Sequence, residues 1–214
     1  DLFCILQNIA VREALVIIAQ VNTGNYALPK PQLLKVNESG IVIRQVKPIQ
    51  HPALLAYLKS RKISLVVAQG FCKEVHYIIK EKYGFSIGLK NNSGGWELRN
   101  TYFKASSSPK DLWWITNGSQ KLIVIEGIFD LLSLVTLFPN LKGEADFLIL
   151  NSIAFAEKAL PYFDTCTTVE LYLDQDKAGR KTTSFFLNNN ATCIDKSTFY
   201  KAEKDLNAWL MKTH

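Results

Sequence analysis

Two short apolar runs in the second half of the chain each end at acidic residues. Residues 122–125 (LIVI) lead into Glu126-Gly127, and residues 169–173 (VELYL) lead into Asp174-Gln175-Asp176. Both runs are typical of buried strands, and the interval between them has room for a helix, a strand and a second helix. Because the carboxyl ends of parallel strands meet at one edge of an open α/β sheet, where such sheets bind ligands, we expect these acids to converge.

Carboxylates that converge in this way repel one another unless a cation lies among them. Since carboxylate oxygens are hard ligands, the expected ion is Mg²⁺, for which Mn²⁺ is a substitute. The sequence therefore predicts Glu126, Asp174 and Asp176 as catalytic residues and metal ligands, with Asp205 as a further metal ligand.

Each of these acids also has a structural interpretation. Glu126 alone would be a surface carboxylate at a strand end, and Asp176 is placed to cap a helix that begins near Lys177. Asp205 would lie on a solvated helix face. Asp130 falls in the first turn of the helix expected after Glu126, where the helix dipole favours a negative charge, so we expect it to be a capping charge.

Strand and helix patterns alternate from Lys121 onward. Strands are predicted at 122–125, 147–151, 169–174 and 191–194, and helices at 129–137, 154–163, 178–188 and 202–212. This alternation favours an α/β fold in which a parallel sheet is sandwiched by helices, with right-handed crossovers.

The first half of the chain has a different pattern. It predicts helices at 9–20 and 53–61, a loop at 22–32 and a short strand at 41–43. Residues 66–103 are typical of β-structure, with a hairpin turning at 81–84, a Gly-rich turn at 91–95 and a strand at 96–99; a serine-rich loop follows at 106–110. We therefore expect an N-terminal helix and linker at 1–50, a smaller basic α+β subdomain at 51–118 and the α/β domain at 119–214.

Charge divides the chain in the same way. Residues 1–118 carry 15 Lys and Arg against 7 Asp and Glu, a net charge of +8, whereas residues 119–214 carry 10 against 12, a net charge of −2. This asymmetry suggests that the first part attracts a polyanion and the second holds cations. The simpler alternative is that the surface lysines only aid solubility.

The four cysteines and three histidines are scattered along the chain without the spacing of a zinc site or a disulfide framework. We therefore expect no zinc within this chain, and free thiols favour a cytoplasmic location. No run approaches about 18 apolar residues, so no membrane association is expected. The chain starts at Asp1, which suggests an excised fragment.

Cations, amides and aromatic rings are interleaved around the Gly94-Gly95 turn. Such a mixture suits a single-stranded nucleic acid, whose backbone binds cations while its bases stack on rings. The expected phosphate-binding residues here are Lys90, Arg99, Lys104 and Lys110, with the nearby rings of Trp96, Tyr102 and Phe103. We assign Trp96 to the core, and the alternative is an ordinary sheet whose aromatic residues are all core.

These residues together resemble a Toprim domain, the metal-binding fold shared by bacterial DnaG-type primases, type IA and II topoisomerases and some nucleases. The family has a Glu after its first strand and an Asp-x-Asp after its third, which match Glu126 and 174–176. The resemblance implies a Rossmann-like Toprim fold. Residues 178–180 (AGR) resemble the primase version, so Arg180 joins the expected nucleotide-binding residues. Lys204-Asp205 resembles a further acidic motif of primases, in which Asn207 replaces a second acid.

Upstream residues extend the resemblance to primases. Residues 104–109 (KASSSP) have the spacing of a primase motif whose Lys lies in the catalytic cleft, which matches Lys104. Gly94-Gly95 resembles a Gly-Gly-Arg element in which Trp96 replaces the Arg, and Arg99 would substitute for it. Residues 1–15 resemble the tail of the zinc-ribbon module that precedes this core. The nearest resemblance is to primase-like Toprim proteins of bacterial mobile elements.

The resemblance implies a primase core that uses Mg²⁺ for nucleotidyl transfer in DNA replication. Its partners would be a single-stranded DNA template, ribonucleoside triphosphates and a replicative helicase. Two alternatives stay open: a Toprim-type nuclease that cleaves phosphodiesters at the same site, and a non-enzymatic single-stranded DNA-binding module of a replication or mobilisation protein.

Overall fold

The computed structural model describes residues 34–35 and 40–213, and all features below refer to them. The helix expected at 9–20, the loop at 22–32 and the zinc-ribbon tail at 1–15 lie outside the described residues. The division of the chain at residues 50 and 118 stays a prediction.

A six-stranded sheet occupies the first half of the described chain. Its strands lie in the order β1-β6-β5-β4-β3-β2, antiparallel except for the β1–β6 pair. The strands are β1 (Leu34–Lys35), β2 (Ile41–Lys47), β3 (Lys73–Ile79), β4 (Lys82–Lys90), β5 (Trp96–Arg99) and β6 (Phe103–Ser106). The strand expected at 41–43 thus continues to Lys47.

The expected hairpin joins β3 to β4, but its turn lies earlier than predicted. Lys80 and Glu81 form the turn with φ angles of 45° and 64°. Both φ angles are positive, as in the two-residue turns whose twist matches the flanking strands. The sequence predicted the turn at 81–84, where Gly84 is a typical turn residue. Lys and Glu rarely adopt positive φ angles, so Lys80 and Glu81 did not indicate a turn.

Two helices connect β2 to β3: α1 (Pro52–Ser60) and α2 (Leu65–Phe71). Helix α1 was expected, but residues 66–71 were assigned to β-structure, which is wrong. The Leu-Val-Val run favours a strand locally. The hydroxyl of Ser64 caps the helix by accepting from the Val67 amide, and Ala68 is fully buried in the core, so capping and packing outweigh that preference.

The second sheet has the order β11-β10-β8-β9-β7. Its strands are β7 (Trp113–Ile115), β8 (Lys121–Ile125), β9 (Asp146–Ile149), β10 (Thr168–Tyr172) and β11 (Cys193–Asp195). The four strands from β8 to β11 are parallel, which confirms the expected α/β class, and β7 adds an antiparallel edge that the sequence did not reveal.

Helices cover both faces of this second sheet. They are α3 (Ile128–Leu137), α4 (Leu141–Glu144), α5 (Ala156–Phe163), α6 (Lys177–Asn189) and α7 (Leu206–Thr213), with 3₁₀ turns at Ile153–Phe155 and Ser197–Tyr200. Helix α7 begins four residues later than expected. Within residues 40–213, no helix is long and apolar enough to cross a bilayer.

One hydrophobic cluster joins the two sheets. Strand β8 alternates, so that Ile123 and Ile125 face α1, α2, α3 and α7, while Leu122 and Val124 face α5 and α6. Ile87 of β4 is completely buried in the first of these clusters. The first sheet is therefore held against the α/β layer by shared core packing, which fixes its position relative to the ends of β8 and β10.

A buried carboxylate on β3 joins the first sheet to the start of α1. Glu74 is inaccessible to solvent, and its carboxylate accepts hydrogen bonds from the backbone amides of Gln50 (2.9 Å) and His51 (2.8 Å). His76 (2.6 Å) and Lys47 (3.2 Å) also contact it. Burial by itself would raise the pKa of Glu74, but these hydrogen bonds outweigh burial and lower it to about 2.

We expect the substitution Glu74→Gln to lower the free energy of unfolding by about 2 kcal/mol at pH 7. The folded-state pKa lies below the unfolded value, so the charge stabilises the protein above pH 4.5 and this contribution is lost as the pH falls towards 2. Urea unfolding at pH 7, 4 and 3 measures the free energy of unfolding of both proteins, and the difference between them should decrease as the pH falls.

Glu81→Gln is the matched control, since Glu81 is exposed in the hairpin turn and should change the free energy of unfolding by less than about 0.5 kcal/mol. A Glu74→Gln difference that stays constant across this pH range would contradict the assignment.

Candidate active site

The ends of β8 and β10 bring two of the predicted acids together. These strands are direct parallel neighbours, with Ile125 in register with Tyr172. The carboxylate of Glu126 therefore reaches the next strand end, where its Oε2 lies 3.4 Å from the backbone nitrogen of Asp174. The first residue of each acidic motif thus lies at the carboxyl edge of the sheet.

A close approach of α6 shapes the Asp174–Asp176 loop. Asp176 caps α6, because its Oδ1 accepts from the amides of Ala178 (2.9 Å) and Gly179 (3.0 Å). A Cβ atom on Gly179 would lie 2.1 Å from the Asp174 carbonyl oxygen, so only glycine fits here. The capping role considered for Asp176 is therefore real, and its Oδ1 is used for it.

The same loop is held from its other side by the segment that precedes α7. The amide of Gln175 donates to the Lys204 carbonyl (2.6 Å), and its side chain donates to the Ser197 carbonyl (2.9 Å). The hydroxyl of Tyr200 donates to the Leu173 carbonyl (2.8 Å). These contacts place Lys204-Asp205 beside the loop.

Asp205 caps α7 and faces further acids. Its Oδ1 accepts from the Ala208 amide (2.7 Å). Asp130 lies close by, where its Oδ1 accepts from the amide of Asn207 (3.3 Å). Removal from solvent, followed by repulsion from Asp205 and Asp174, raises the pKa of Asp130 well above its usual range. The sequence predicted only a capping charge for Asp130 and not its place among the acids, although its spacing from Glu126 was a signal.

The pKa of Asp174 reports the crowding of these carboxylates. Burial, then repulsion from Glu126 and Asp205, raises it to about 7, while Lys204 opposes the rise. Burial likewise raises the pKa of Glu126. By contrast, the amides at the start of α6 lower the pKa of Asp176. These shifts show that the carboxylates of Asp174, Glu126 and Asp130 resist being ionised together.

This donor set fits a divalent metal by its chemistry. All its oxygens are hard carboxylate donors, and a cation among them would relieve their repulsion. Within residues 40–213, however, no three His, Cys, Asp or Glu side chains converge closely enough to form a coordination group. Ligation by three acids would therefore require side-chain rotation. Metal binding by Glu126, Asp174, Asp176 and Asp205 stays a prediction.

Lys104 extends from β6 towards these acids. Partial desolvation, together with repulsion from Arg99, lowers its pKa, while attraction to Asp174 and Glu126 opposes this shift. Lys204 interacts with the same acids. It was not among the site residues predicted from the sequence, although its place beside Asp205 in the primase-like motif was a signal. Two lysines thus face the acidic strand ends.

The other predicted basic residues have different surroundings. Arg99 is mostly buried; its guanidinium donates to the Leu98 carbonyl (2.9 Å) and pairs with Glu97 (3.6 Å). Arg180 donates to the Gln175 carbonyl and so supports the acidic loop. Lys90, at the end of β4, and Lys110, after β6, are both exposed. Their roles in binding nucleotides stay predictions.

The aromatic residues near the Gly-rich turn are mainly structural. Phe103 is 8% exposed and stacks on Tyr77 with ring centroids 5.3 Å apart. Trp96 packs against the same cluster, as expected, whereas Tyr102 is 47% exposed. Core packing of the aromatic residues, the alternative interpretation, is correct for Phe103.

Gly95 allows the turn to meet the serine-rich loop. A Cβ atom there would lie 2.0 Å from the Pro109 carbonyl oxygen. Asn91 bridges the two segments: its side chain donates to the Pro109 carbonyl (2.8 Å) and accepts from the Gly95 amide (2.8 Å). These contacts hold the loop that follows Lys104, so Gly95 supports the position of the lysine.

Asn207 is a structural residue. It is completely buried, and its Nδ2 donates to the Ser133 hydroxyl (2.8 Å) and the Arg61 carbonyl (3.0 Å). It therefore joins α7 to α3 and to the end of α1, and its side-chain amide is directed to these partners.

We expect Gly179→Ala to lower the free energy of unfolding by about 2 kcal/mol or more, because the methyl group collides with the Asp174 carbonyl. Chemical denaturation measures this loss. Gly143→Ala is the matched control, since Gly143 lies in α4, where an added methyl group would have no neighbouring atom within 4 Å, and should be nearly neutral. Equal stability of the two variants would contradict the close approach.

Comparison with known proteins divides the chain into two matching regions. Residues 123–210 match the Toprim-like domain family, and residues 43–108 match a domain of unknown function (DUF8464). No curated protein has a significantly similar sequence. The resemblance to a Toprim domain is thereby confirmed for the α/β part of the chain.

Among solved structures, the primase fragment of the bacteriophage T7 primase-helicase protein is similar. The two share 18% sequence identity with a TM-score of 0.52, over 89% of this chain and 78% of the other. A second match, at 20% identity and a TM-score of 0.48, covers 64% of this chain and 76% of the other. It comes from a structure of T7 lagging-strand DNA polymerase with primase domains of two gp4 subunits bound to an RNA/DNA hybrid and dTTP. At this identity the first likeness establishes a shared fold.

Proposed function

We propose that this chain, which is a Toprim-domain protein with a primase-like fold, catalyses metal-dependent nucleotidyl transfer and makes RNA primers on single-stranded DNA. One observation carries the proposal: the carboxylates of Glu126 and Asp174 meet at the ends of β8 and β10 and interact with Lys104 of the first sheet. We call the region between Lys104 and these acids the cleft. A cleft with these charges suits a reaction in which a metal and a triphosphate must be held together.

Mg²⁺ would be held by Glu126 and Asp174, with Asp176 and Asp205 offering the oxygen that each does not use for helix capping. The bound ion supplies charge neutralisation for the triphosphate and a lower pKa for the attacking hydroxyl. Burial and the neighbouring acids raise the pKa of the adjacent Asp130, and a cation bound beside it would favour its ionised form.

Lys104 and Lys204 would bind the phosphate oxygens of the incoming ribonucleotide. In the reaction, the 3′-hydroxyl oxygen of one nucleotide bonds to the α-phosphorus of the next, the bond to pyrophosphate breaks, and the hydroxyl proton passes to water. Positioning and charge neutralisation by these side chains contribute most of the rate enhancement. The backbone contacts of Gln175 and Tyr200 keep the acids in place during each cycle.

We expect Asp174→Asn to reduce dinucleotide synthesis by at least about 100-fold, because it removes a charge at the centre of the site while preserving its shape. The assay supplies ribonucleotides, Mg²⁺ and single-stranded DNA. A second readout is the rise in melting temperature on adding Mn²⁺, which the variant should lose.

Asp164→Asn is the matched control, because Asp164 is exposed at the end of α5. It should retain both synthesis and the Mn²⁺-induced rise. Near-normal dinucleotide formation by Asp174→Asn would overturn the proposed site.

We expect Lys104→Gln to raise the KM for ribonucleotides about tenfold, since one cation near the triphosphate is lost. Lys73→Gln is the control: Lys73 is an exposed lysine on the same sheet, and its side chain is on the opposite face from Glu74. Steady-state kinetics at saturating template measures the KM for ribonucleotides of both variants. An equal KM in both variants would remove Lys104 from the nucleotide site.

The same acids would also serve phosphodiester cleavage, and the experiment that separates the two reactions is direct. Incubation with Mg²⁺ and single-stranded DNA reveals nicking, and addition of ribonucleotides reveals synthesis. Binding without either reaction would favour the DNA-binding module. The proposal also includes a replicative helicase as partner, since the similar T7 fragment belongs to a primase-helicase protein. It further includes a cytoplasmic location and an origin in a bacterial mobile element.

A further inference from the structure

Four ring side chains form a continuous surface on the first sheet, which we name the ring face: His51, His76, Tyr83 and Phe85. His51 stacks on Phe85 with centroids 3.8 Å apart and an interplanar angle of 30°. His76 lies 6.0 Å from Phe85 and 6.2 Å from Tyr83. Tyr83 is 64% exposed, and the two histidines and Phe85 are partly exposed. Flat rings are therefore presented to solvent.

The strand register places the ring face beside the cleft. Paired residues in an antiparallel sheet share a face, and residues two apart on one strand do so too. One row across the sheet runs through Lys104, Arg99, Ile87, Glu74 and Lys47. Phe85 and His76 form the next row on the same face, and Tyr83 begins the row after that.

The distance between the two features follows from sheet geometry. Phe85 lies two strands across and two residues along from Lys104, which is roughly 12 Å at about 4.8 Å per strand and 3.3 Å per residue. A single strand at Lys104 is long enough to span this distance. Ile87, which lies between the two features on this face, is buried in the core, so the strand would pass beside it and not over it.

Charge on this face favours a polyanion. The only acid in the rows named above is Glu74, which is buried and contacted by Lys47 and His76. Lys47 neutralises Glu74 at one end of the row, and Lys104 adds a positive charge at the other end. A surface that combines flat rings with cations, and that lacks an exposed carboxylate in these rows, matches the chemistry of stacked bases and phosphates.

We propose that the ring face stacks the unpaired bases of single-stranded DNA as the strand leaves the cleft. That this strand is a template rests on the proposed function. The binding of single-stranded DNA to the ring face does not depend on that function. Tyr83 is the outermost ring and stacks on a base, while Phe85 and His51 form the floor. Because every base has a flat face, this binding is insensitive to sequence.

Tyr83 variants provide the test. Fluorescence anisotropy with a labelled oligothymidine, without metal or ribonucleotides, measures the Kd at several salt concentrations. We expect Tyr83→Ser to weaken binding at least about fivefold, and Tyr83→Phe, which keeps the ring, to bind like the unaltered protein. The weakening should be equal at all salt concentrations, because stacking releases no counterions, whereas Lys104→Gln should reduce the salt dependence.

Phe138→Ser is the matched control. Phe138 is a 44% exposed ring at the end of α3, the helix that begins at the acidic edge of the second sheet and runs away from it. It should leave the Kd unchanged. Equal affinity of Tyr83→Ser and the unaltered protein, or an equal loss in Phe138→Ser, would overturn the proposal; so would tighter binding of a duplex than of the single strand.

A primer-synthesis assay separates this inference from the proposed function. If the protein makes primers, Tyr83→Ser should raise the KM for template and leave kcat unchanged at saturating template. If no primers form but Tyr83→Ser still weakens DNA binding, the ring face stands and the enzymatic proposal fails. If primers form with an unchanged template KM, the ring face is refuted and the enzymatic proposal stands.

Discussion

Repulsion between carboxylates at the ends of two adjacent parallel strands is the constraint that organises this molecule. β8 and β10 are neighbours, so Glu126 and Asp174 meet wherever those strands end, and Asp205 and Asp130 are brought to the same place by α7 and α3. The surrounding amides and lysines stabilise the negative charge of these acids. The amides at the start of α6 and α7 donate hydrogen bonds to Asp176 and Asp205, and two lysines face the group.

The first sheet contributes to this site because it shares a core with the α/β layer. Ile87 packs among the helices that cover β8, and on the same row Lys104 faces the acids. Two glycines allow close backbone contacts that keep the loops of both sheets in position. Gly179 lies against the Asp174 carbonyl, and Gly95 lies against the Pro109 carbonyl. Backbone contacts and the packing of apolar side chains thus hold both sides of the cleft.

Local patterns predicted the parallel strands of the second sheet well, since its apolar runs are separated by helical patterns and two of them are followed directly by acids. The α2 helix was missed because a Leu-Val-Val run favours a strand until tertiary packing buries Ala68. Asp130 was missed as a member of the acidic group because a first-turn acid is ordinarily a cap. Lys204 has no periodic signal, and the ring face depends on which residues pair across an antiparallel ladder, which composition and spacing do not specify.

The Lys80-Glu81 turn has a consequence for engineering this protein. Two side-chain-bearing residues occupy the left-handed region there, at a cost of about 1 kcal/mol each relative to glycine or asparagine. The turn is remote from the acidic strand ends along the chain. It directly precedes β4, which contains Tyr83 and Phe85 of the ring face. Rewriting the turn as Asn-Gly would thus give a sturdier scaffold for crystallography or directed evolution, with the chemistry of the cleft left as it is.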